Sequence, residues 1–267
     1  LKCITLTTDF GLRDGYVGVM RGVIWTIAPD AQVADISHQI SPQNVLEGAL
    51  VLGRTARFFP PGTVHVAVVD PGVGTSRRPI AARLGNYFFV LPDNGLVTAV
   101  LEQAEERREQ VEFVHLDQPR FWRSEVSRVF HGRDIFSPVA AHLANGVPLA
   151  ELGTPINDPQ RLSLPRPERI ASGWRGHVVA IDHFGNLSTD VTRAHLASMG
   201  NVQVHVAGQT IRGLVRTFGE RPAGELIALY GTHDDLIISV VNGSAAERLN
   251  ASLGDTIDVF PMETGAP

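Results

Sequence analysis

The run VHVAVVD at 64–70 is apolar at almost every position. A strand with one solvated face alternates polar and apolar residues, whereas an unbroken apolar run needs cover on both faces, as parallel sheets in layered α/β folds provide. The flanking sequence agrees. CITLTT (3–8) reads as a strand, and Val17, Met20, Ile24 and Ile27 then recur at helical spacing until Pro29-Asp30 ends the helix. VADI is a second short strand, and Val45, Ala49, Leu52 and Ala56 mark another helix, closed by Pro60-Pro61-Gly62. PIAARL, YFFVL with its Asp93-Asn94-Gly95 turn, and EFVHL add strands, and a further helix begins at Pro138. Strands alternating with helices predict a layered α/β domain with a central, mostly parallel sheet over 1–153.

Beyond Gly153 the texture changes. Pro155, Pro159, Pro165 and Pro167 remove amide donors over a short stretch, so 154–169 is expected to be a proline-rich linker. HVVAID, VQVHVA, ELIALY, LIISVV and TIDVF follow at short spacing, with only 192–199 and 244–250 helical in pattern. The expectation for 170–267 is a smaller all-β, barrel-like domain.

With 267 residues, 43% of them hydrophobic, the chain can build a core in each domain. Its formal charge of −5 contains no basic run of the kind that neutralises a phosphate backbone, which argues against nucleic acid as a partner. No apolar stretch reaches the ~18 residues of a membrane span, and no leader pattern precedes CITLTT, so a cytoplasmic protein is expected. The one cysteine, Cys3, sits in an apolar strand and reads as a small buried hydrophobe.

Four segments combine polar groups with turn residues just past predicted strands, where α/β sheets place ligands. They are TTDFGLRDG (7–15), VVDPGVGTSRR (68–78), FHGRD (130–134) and IDHFGN (181–186). Asp9 is either a turn former or a carboxylate able to accept both hydroxyls of a ribose diol. Asp14 reads first as the N-cap of the helix containing Val17. Asp70 and Arg77 form either a structural ion pair or part of a site, and Gly72 and Gly74 let the backbone turn closely around something small. GVGTSRR lacks the Lys-Ser/Thr end of a P-loop. His131, Arg133 and Asp134 can simply pair with neighbours, and Asp182, His183 and Asn186 can form a polar turn. Carboxylates and imidazoles also ligate metals, but no two of these residues have compact ligand spacing.

Taken together, TTDFGLRDGYVGVMRG, ISPQNVLEGA, FFPPGTVHVAVVDPGVGTSRRPIA, LPDNG, FHGRDIFSPVAAHLA, IDHFGNLST and LYGTHDDLIISVVNGSAAE resemble the S-adenosyl-L-methionine (SAM) hydroxide adenosyltransferases, SAM hydrolases that share a fold with the SAM-dependent fluorinase and chlorinase. The resemblance implies an α/β domain joined to a β-barrel, assembled as a homotrimer with sites between subunits. It also implies attack of water on C5′ of the SAM ribose, giving adenosine and L-methionine, with SAM as substrate and no cofactor or metal. The family's Asp–Arg–His set falls on Asp70, Arg77 and His131. Asp9 matches the ribose aspartate, Asp14 and Asp182 carboxylates near the methionine amino group, Asn186 and Asn242-Gly243 the adenine end, and Phe218 and Tyr230 apolar walls. The halogenases carry a tyrosine where Asp70 stands and an inserted loop that is missing here, which favours water over halide. Two positions depart from the fluorinase pattern: Thr232, His233 and Asp234 replace the Ser–Arg pair for the methionine carboxylate, and Gln43 replaces an aromatic. The alternatives are a SAM halogenase, a SAM- or adenosine-binding module without turnover, and a metal-dependent hydrolase.

A sulfonium leaves as neutral methionine, so the reaction needs no general acid and the burden falls on the nucleophile. A carboxylate titrating near ~4 is a poor match to water as a base. The expectation is that Asp70, Arg77 and His131 jointly orient one water, Arg77 supplying charge for the developing hydroxide and His131 able to receive the proton.

Overall fold

The apolar run at 64–70 becomes the middle of a seven-stranded sheet. The computed structural model describes residues 2–262 and divides the chain into two units between Leu164 and Pro165. In the first unit the elements are β1 (Cys3–Thr8), α1 (Tyr16–Ile27), β2 (Gln32–Ser37), α2 (Val45–Thr55), β3 (Val64–Val68), β4 (Pro79–Leu84), β5 (Tyr87–Pro92), α3 (Thr98–Glu106), β6 (Val111–His115), a π-helical turn (Gly132–Phe136), α4 (Ser137–Ala144) and β7 (Thr154–Ile156). The sheet order is β2-β1-β3-β5-β4-β6-β7. It is parallel from β2 to β5 and antiparallel from β5 to β7. The change of direction follows from the two residues Gly85-Asn86 between β4 and β5, too short a link for a crossover.

Both faces of β3 are covered. Val64, Val66 and Val68 pack with Val17, Met20 and Ile24 of α1 and with Val139 and Ala140 of α4. Ala67 and Val69 join Ala49 and Leu52 of α2 and Val100 and Leu101 of α3 on the other face. The crossover from β1 leads to β2 on one side, while the crossover from β2 returns to β3 on the other. The C-terminal ends of β1 and β3 therefore border a crevice at the switch point of the sheet, where such folds bind ligands.

The stretch expected to be a proline-rich linker, 154–169, is strapped to the first unit over much of its length. β7 pairs with β6 at the sheet edge. Beyond it Gln160 donates its amide to Asp93 Oδ1 (2.7 Å) and Leu162 donates its amide to Thr98 Oγ1 (2.9 Å). The prolines remove some donors, but the residues between them supply enough to strap the segment to the first unit. β8 (Glu168–Ile170) already pairs with the first long strand of the second unit.

The second unit continues with β9 (Gly173–Ile181), β10 (Leu187–Thr192), α5 (Arg193–Leu196), β11 (Val202–Val206), β12 (Gln209–Arg212), β13 (Leu226–Tyr230), β14 (Asp235–Val240), α6 (Ala245–Leu249) and β15 (Thr256–Pro261). Its strands run antiparallel in the order β12-β11-β15-β9-β10-β14-β13. Val215, just past β12, donates its amide to Ala228 on β13 (3.0 Å), which brings the two edges of the sheet together into a nearly closed barrel. Inward residues such as Val178, Leu187, Val204, Ile238 and Val259 fill it. Residues 263–267, included in the domain expected to end at 267, lie outside the described residues.

His65, on β3, is buried against Phe59, Tyr87 and Phe89 and hydrogen-bonds Thr5 Oγ1 through Nδ1 (2.7 Å). Burial lowers its pKa from 6.5 to about 4. A histidine kept neutral by folding contributes stability fully present above 6.5 and lost as the pH falls toward 4. Unfolding titrations should show a loss of roughly 3 kcal/mol from this group across that window. In His65→Phe the histidine's share of the slope should vanish; an unchanged slope would show that His65 is not its source.

Candidate active site

Asp9 directly follows β1, and its turn is held from behind. His38, itself buried, hydrogen-bonds Thr8 Oγ1 through Nδ1 (2.8 Å), places Nε2 3.0 Å from Asp35 Oδ1, and accepts the Gly11 amide on its carbonyl (2.7 Å). The Phe10 amide donates to Thr8 Oγ1 (3.2 Å). Asp9 Oδ2 accepts the backbone amide of Gln43 (2.8 Å), a residue with φ of +64°. Asp14 is not the N-cap of α1. The helix starts at Tyr16 with Gly15 as N-cap and without a side-chain cap, so Asp14 lies one position too early to reach the first free amides. It is exposed.

The acid and arginine of the 68–78 loop form a buried pair whose side chains are only 5% and 7% exposed. Arg77 Nε donates to Asp70 Oδ1 (2.9 Å) and Oδ2 (3.0 Å), and Nη2 donates to Oδ2. Nη2 also lies 2.8 Å from His131 Nδ1. A guanidinium only donates, so Nδ1 is the acceptor and the imidazole carries its proton on Nε2. Burial and then the Arg77 charge lower the His131 pKa below 6.5, which favours this neutral form. Arg77 Nη1 is buried without a hydrogen-bond partner, with the guanidinium over the Phe136 ring at 5.3 Å. Arg78 turns the other way, to Asp93 and Asp158.

The two halves of this cluster, Arg77 and His131, are 54 positions apart in the sequence, and backbone contact joins their loops. Gly74 has φ of +76°, and a Cβ there would strike the carbonyl of Arg128. The glycine makes room for the neighbouring loop rather than for a small ligand, which corrects the sequence reading. That loop is closed by Asp134, which has no solvent exposure. Burial alone would raise the Asp134 pKa, but bonds from Arg133, the Ser127 amide and Arg123 outweigh it and hold the carboxyl below the ordinary range.

Asp9, Asp70 and His131 converge on one cavity of about 430 Å³, within the size range of ligand sites. Arg77 is not among its lining residues; it stands behind Asp70 and His131 and binds both. Phe10, Tyr16 and Phe130 line the same cavity and meet edge to face, with ring centroids 5.3–5.9 Å apart. Gln43 and Val129 complete part of the rim. Sequence reasoning did not single out Phe10, Tyr16 or Phe130, although their spacing around Asp9 and His131 was visible.

In the second unit, Asp182 and Asn186 are brought together with each other. Asp182 Oδ1 accepts the amides of Phe184 and Asn186 (both 2.9 Å), and Asn186 Nδ2 donates to Oδ2 (2.7 Å). Gly185 packs on Ser244 too closely for a side chain, so this turn adjoins the Asn242-Gly243 turn. Tyr230 lies under Arg193, whose guanidinium is 4.0 Å from the ring centroid and bonds Asp234 (2.8 Å). Arg193 thus offsets the acid at 234, a compensation not visible along the chain. Phe218 is on a separate short turn and 43% exposed. Among the described residues, no group of three or more His, Cys, Asp or Glu side chains is arranged to hold a metal ion, and no helix is long and apolar enough to cross a membrane.

Substituting Ala for Gly74 combines a left-handed residue, costing roughly 1–2 kcal/mol, with a backbone clash. Gly74→Ala should lower the thermal unfolding midpoint and separate Arg77 from His131, whereas Gly62→Ala, at φ +85° with open space around it, should show the strain alone. Crystal structures of the two variants with the Arg77–His131 contact intact in both would refute the loop-docking role of Gly74.

Family models of the SAM hydroxide adenosyltransferase N-terminal domain and C-terminal domain match residues 4–153 and 176–258. The chain is 40% identical over 258 residues to the (R)-S-adenosyl-L-methionine hydrolase of Salinispora arenicola, covering 96% of this chain and 97% of that one. It is 30% identical to a fluorinase of Actinoplanes sp. over 74% of each chain. The fold superposes on the crystal structure of an uncharacterized conserved protein from Thermotoga maritima with a TM-score of 0.90 and 35% identity, covering 96% of this chain and 99% of that one.

Proposed function

The chain belongs to the SAM hydroxide adenosyltransferase family, and from that premise we propose how it hydrolyses SAM to adenosine and L-methionine in the cavity between Asp9, Asp70 and His131. The observation that carries the reading is that Asp70 and His131 both face the cavity while one arginine behind them binds each. Asp9 accepts the ribose hydroxyls, and the Phe10–Tyr16–Phe130 wall excludes water from all but the attacking position. The attacking water donates one hydrogen to Asp70 and accepts one from His131 Nε2–H, which fixes its lone pair in line with the C5′–S bond. The new C5′–O bond forms as the sulfur takes the C5′–S electron pair, and the proton departs through Asp70. His131 is thus a donor to the developing hydroxide, since receiving the proton at Nδ1 would require breaking its bond to Arg77. Arg77 orients the two cavity groups and balances the Asp70 charge in the low-dielectric site.

A sulfonium is pyramidal and has two configurations, and the Salinispora relative is named for the (R) form. The same epimer is the substrate of this chain, so that hydrolysis spares the other. The halogenase reading is disfavoured by Asp70, where the resemblance places a tyrosine in the halogenases. No cofactor takes part. The protein acts in the cytoplasm as a homotrimer, and the residues Asp182, Asn186, Phe218, Tyr230, Asn242 and Gly243 serve the cavity of a neighbouring copy. The exposed Val129 (77%) at the cavity rim supports that assembly as apolar surface for a neighbouring copy to cover.

EDTA-treated protein incubated separately with each SAM epimer, with and without chloride, should release adenosine and methionine from the (R) form alone. 5′-Chloroadenosine, or turnover only after metal addition, would overturn the reading. Asp70→Ala and His131→Ala should each lower kcat by about 100-fold or more with KM little changed. Arg77→Lys, which keeps the charge but not the fork, should fall between them and the native enzyme. Sedimentation of an active monomer would remove the trimer.

A further inference from the structure

Asp134 lies outside the cavity, and nothing in the proposed chemistry uses it. Its carboxylate is completely buried and accepts four hydrogen bonds. Oδ1 accepts from Arg123 Nη1 (3.0 Å) and Arg133 Nε (2.6 Å), and Oδ2 from the Ser127 amide (2.8 Å) and Arg133 Nη2 (2.9 Å). Its backbone adds two more, accepting the Arg123 amide (2.9 Å) and donating to the Phe130 carbonyl (3.2 Å). One residue therefore grips the 123–134 loop at 123, 127, 130 and 133. Between those points lie the Arg128 carbonyl that docks on Gly74, the Phe130 ring on the cavity wall, and His131.

His131 needs such support. Its only hydrogen bond through Nδ1 is to Arg77, and a single bond leaves the imidazole free to swing about that axis. The π-helical turn that follows it, with Ser137 Oγ closing on the Gly132 carbonyl (2.7 Å), fixes one side of the residue. The loop before it must fix the other. Arg133 also lies over the Phe130 ring, 5.2 Å from its centroid, so the same carboxylate holds the cation that steadies the wall.

We propose that Asp134 is a positioning residue for the hydrolysis, its buried carboxylate locking the 123–134 loop so that His131 Nε2–H points at the attacking water. This rests on the role given to His131 above. An uncharged amide of the same shape cannot replace the carboxylate. It offers one acceptor oxygen where two are used, turns a donor toward the donors already there, and leaves two guanidinium groups side by side without their counter-charge.

The test is a double-substitution cycle on SAM turnover with Asp134→Asn and His131→Gln. Asp134→Asn alone should lower kcat about tenfold or more while KM for SAM changes less than about threefold, since a misplaced catalytic group costs rate rather than affinity. In the His131→Gln background the same substitution should change kcat less than about twofold, because the group it positions is gone. The same factor in both backgrounds would overturn the proposal and leave Asp134 with a merely structural role. Full activity in His131→Gln itself would instead sink the role of His131, a separate failure. Should Asp134→Asn show no cooperative unfolding transition, Arg123→Gln, which keeps the Arg133 pair, goes through the same cycle. Histidine ring ¹⁵N spectra give a second measurement, with the His131 signals identified by their loss in His131→Gln. A shifted or broadened His131 Nδ1 signal in Asp134→Asn, or in Arg123→Gln, supports the proposal, and an unmoved one overturns it.

Discussion

The hydrogen bonds of the Arg77 guanidinium are what the site depends on. The group has five donors and no acceptor, so whatever it binds must accept. The Nε–Nη2 edge is taken by the Asp70 carboxylate, and the same Nη2 also donates to His131 Nδ1. That arrangement sets the tautomer of the histidine, leaves Nε2–H as its remaining donor, and ties the loop after β3 to the loop before α4. A lysine in its place would offer a point charge without the fork that spans both partners.

Two carboxylates are buried close to this centre, and both are matched by arginine. Asp70 has Arg77, while Asp134 has Arg133 and Arg123. Removing a partner from such a pair costs more than the pair itself contributes, because an unpaired charge is left away from water. The ion pairs of these two carboxylates are therefore constraints on geometry more than sources of stability. They hold loops against each other, and the contact of Gly74 with the Arg128 carbonyl is the place where the loops meet without a side chain between them. The acid in the barrel domain behaves differently. Asp182 spends its acceptors on its own turn and on Asn186, so the turn is shaped before any ligand arrives.

Much of the fold was legible because its signals are local. The unbroken apolar run of β3 reports cover on both faces, and the spacing of Val17, Met20 and Ile24 and the alternation in β11 report burial through periods of 3.6 and two residues. The site was legible in part for the same reason, as Asp9 and Asp70 end strands whose C-terminal edges face the switch point. Misreadings arose at an element boundary and where a residue's partner is far along the chain. Asp14 has the composition of a cap, but the helix starts one residue later than a cap at 14 requires. The prolines after 154 read only as a linker because the amides that strap the segment down, at Gln160 and Leu162, find their acceptors on Asp93 and Thr98. The acid at 234 has no arginine or lysine beside it in the sequence, and Arg193, which lies against it, belongs to another element.

Local pattern and chain order by themselves determined the two-part architecture, the parallel half of the first sheet, and the residue types available at the strand ends, since those follow from periodicity and turn chemistry. The motifs also carried the family resemblance. Only the tertiary structure decided what Gly74 of VVDPGVGTSRR is for and where the arginine that the motifs put at 77 stands, behind the cavity with Asp70 and His131 as its partners. Arg77 and Arg78 are neighbours with the same side chain, yet one turns to Asp70 and His131 and the other to Asp93 and Asp158. Nothing in their shared chemistry separates them. The distinction comes from the direction in which the folded backbone presents each guanidinium and from the acceptors that lie there.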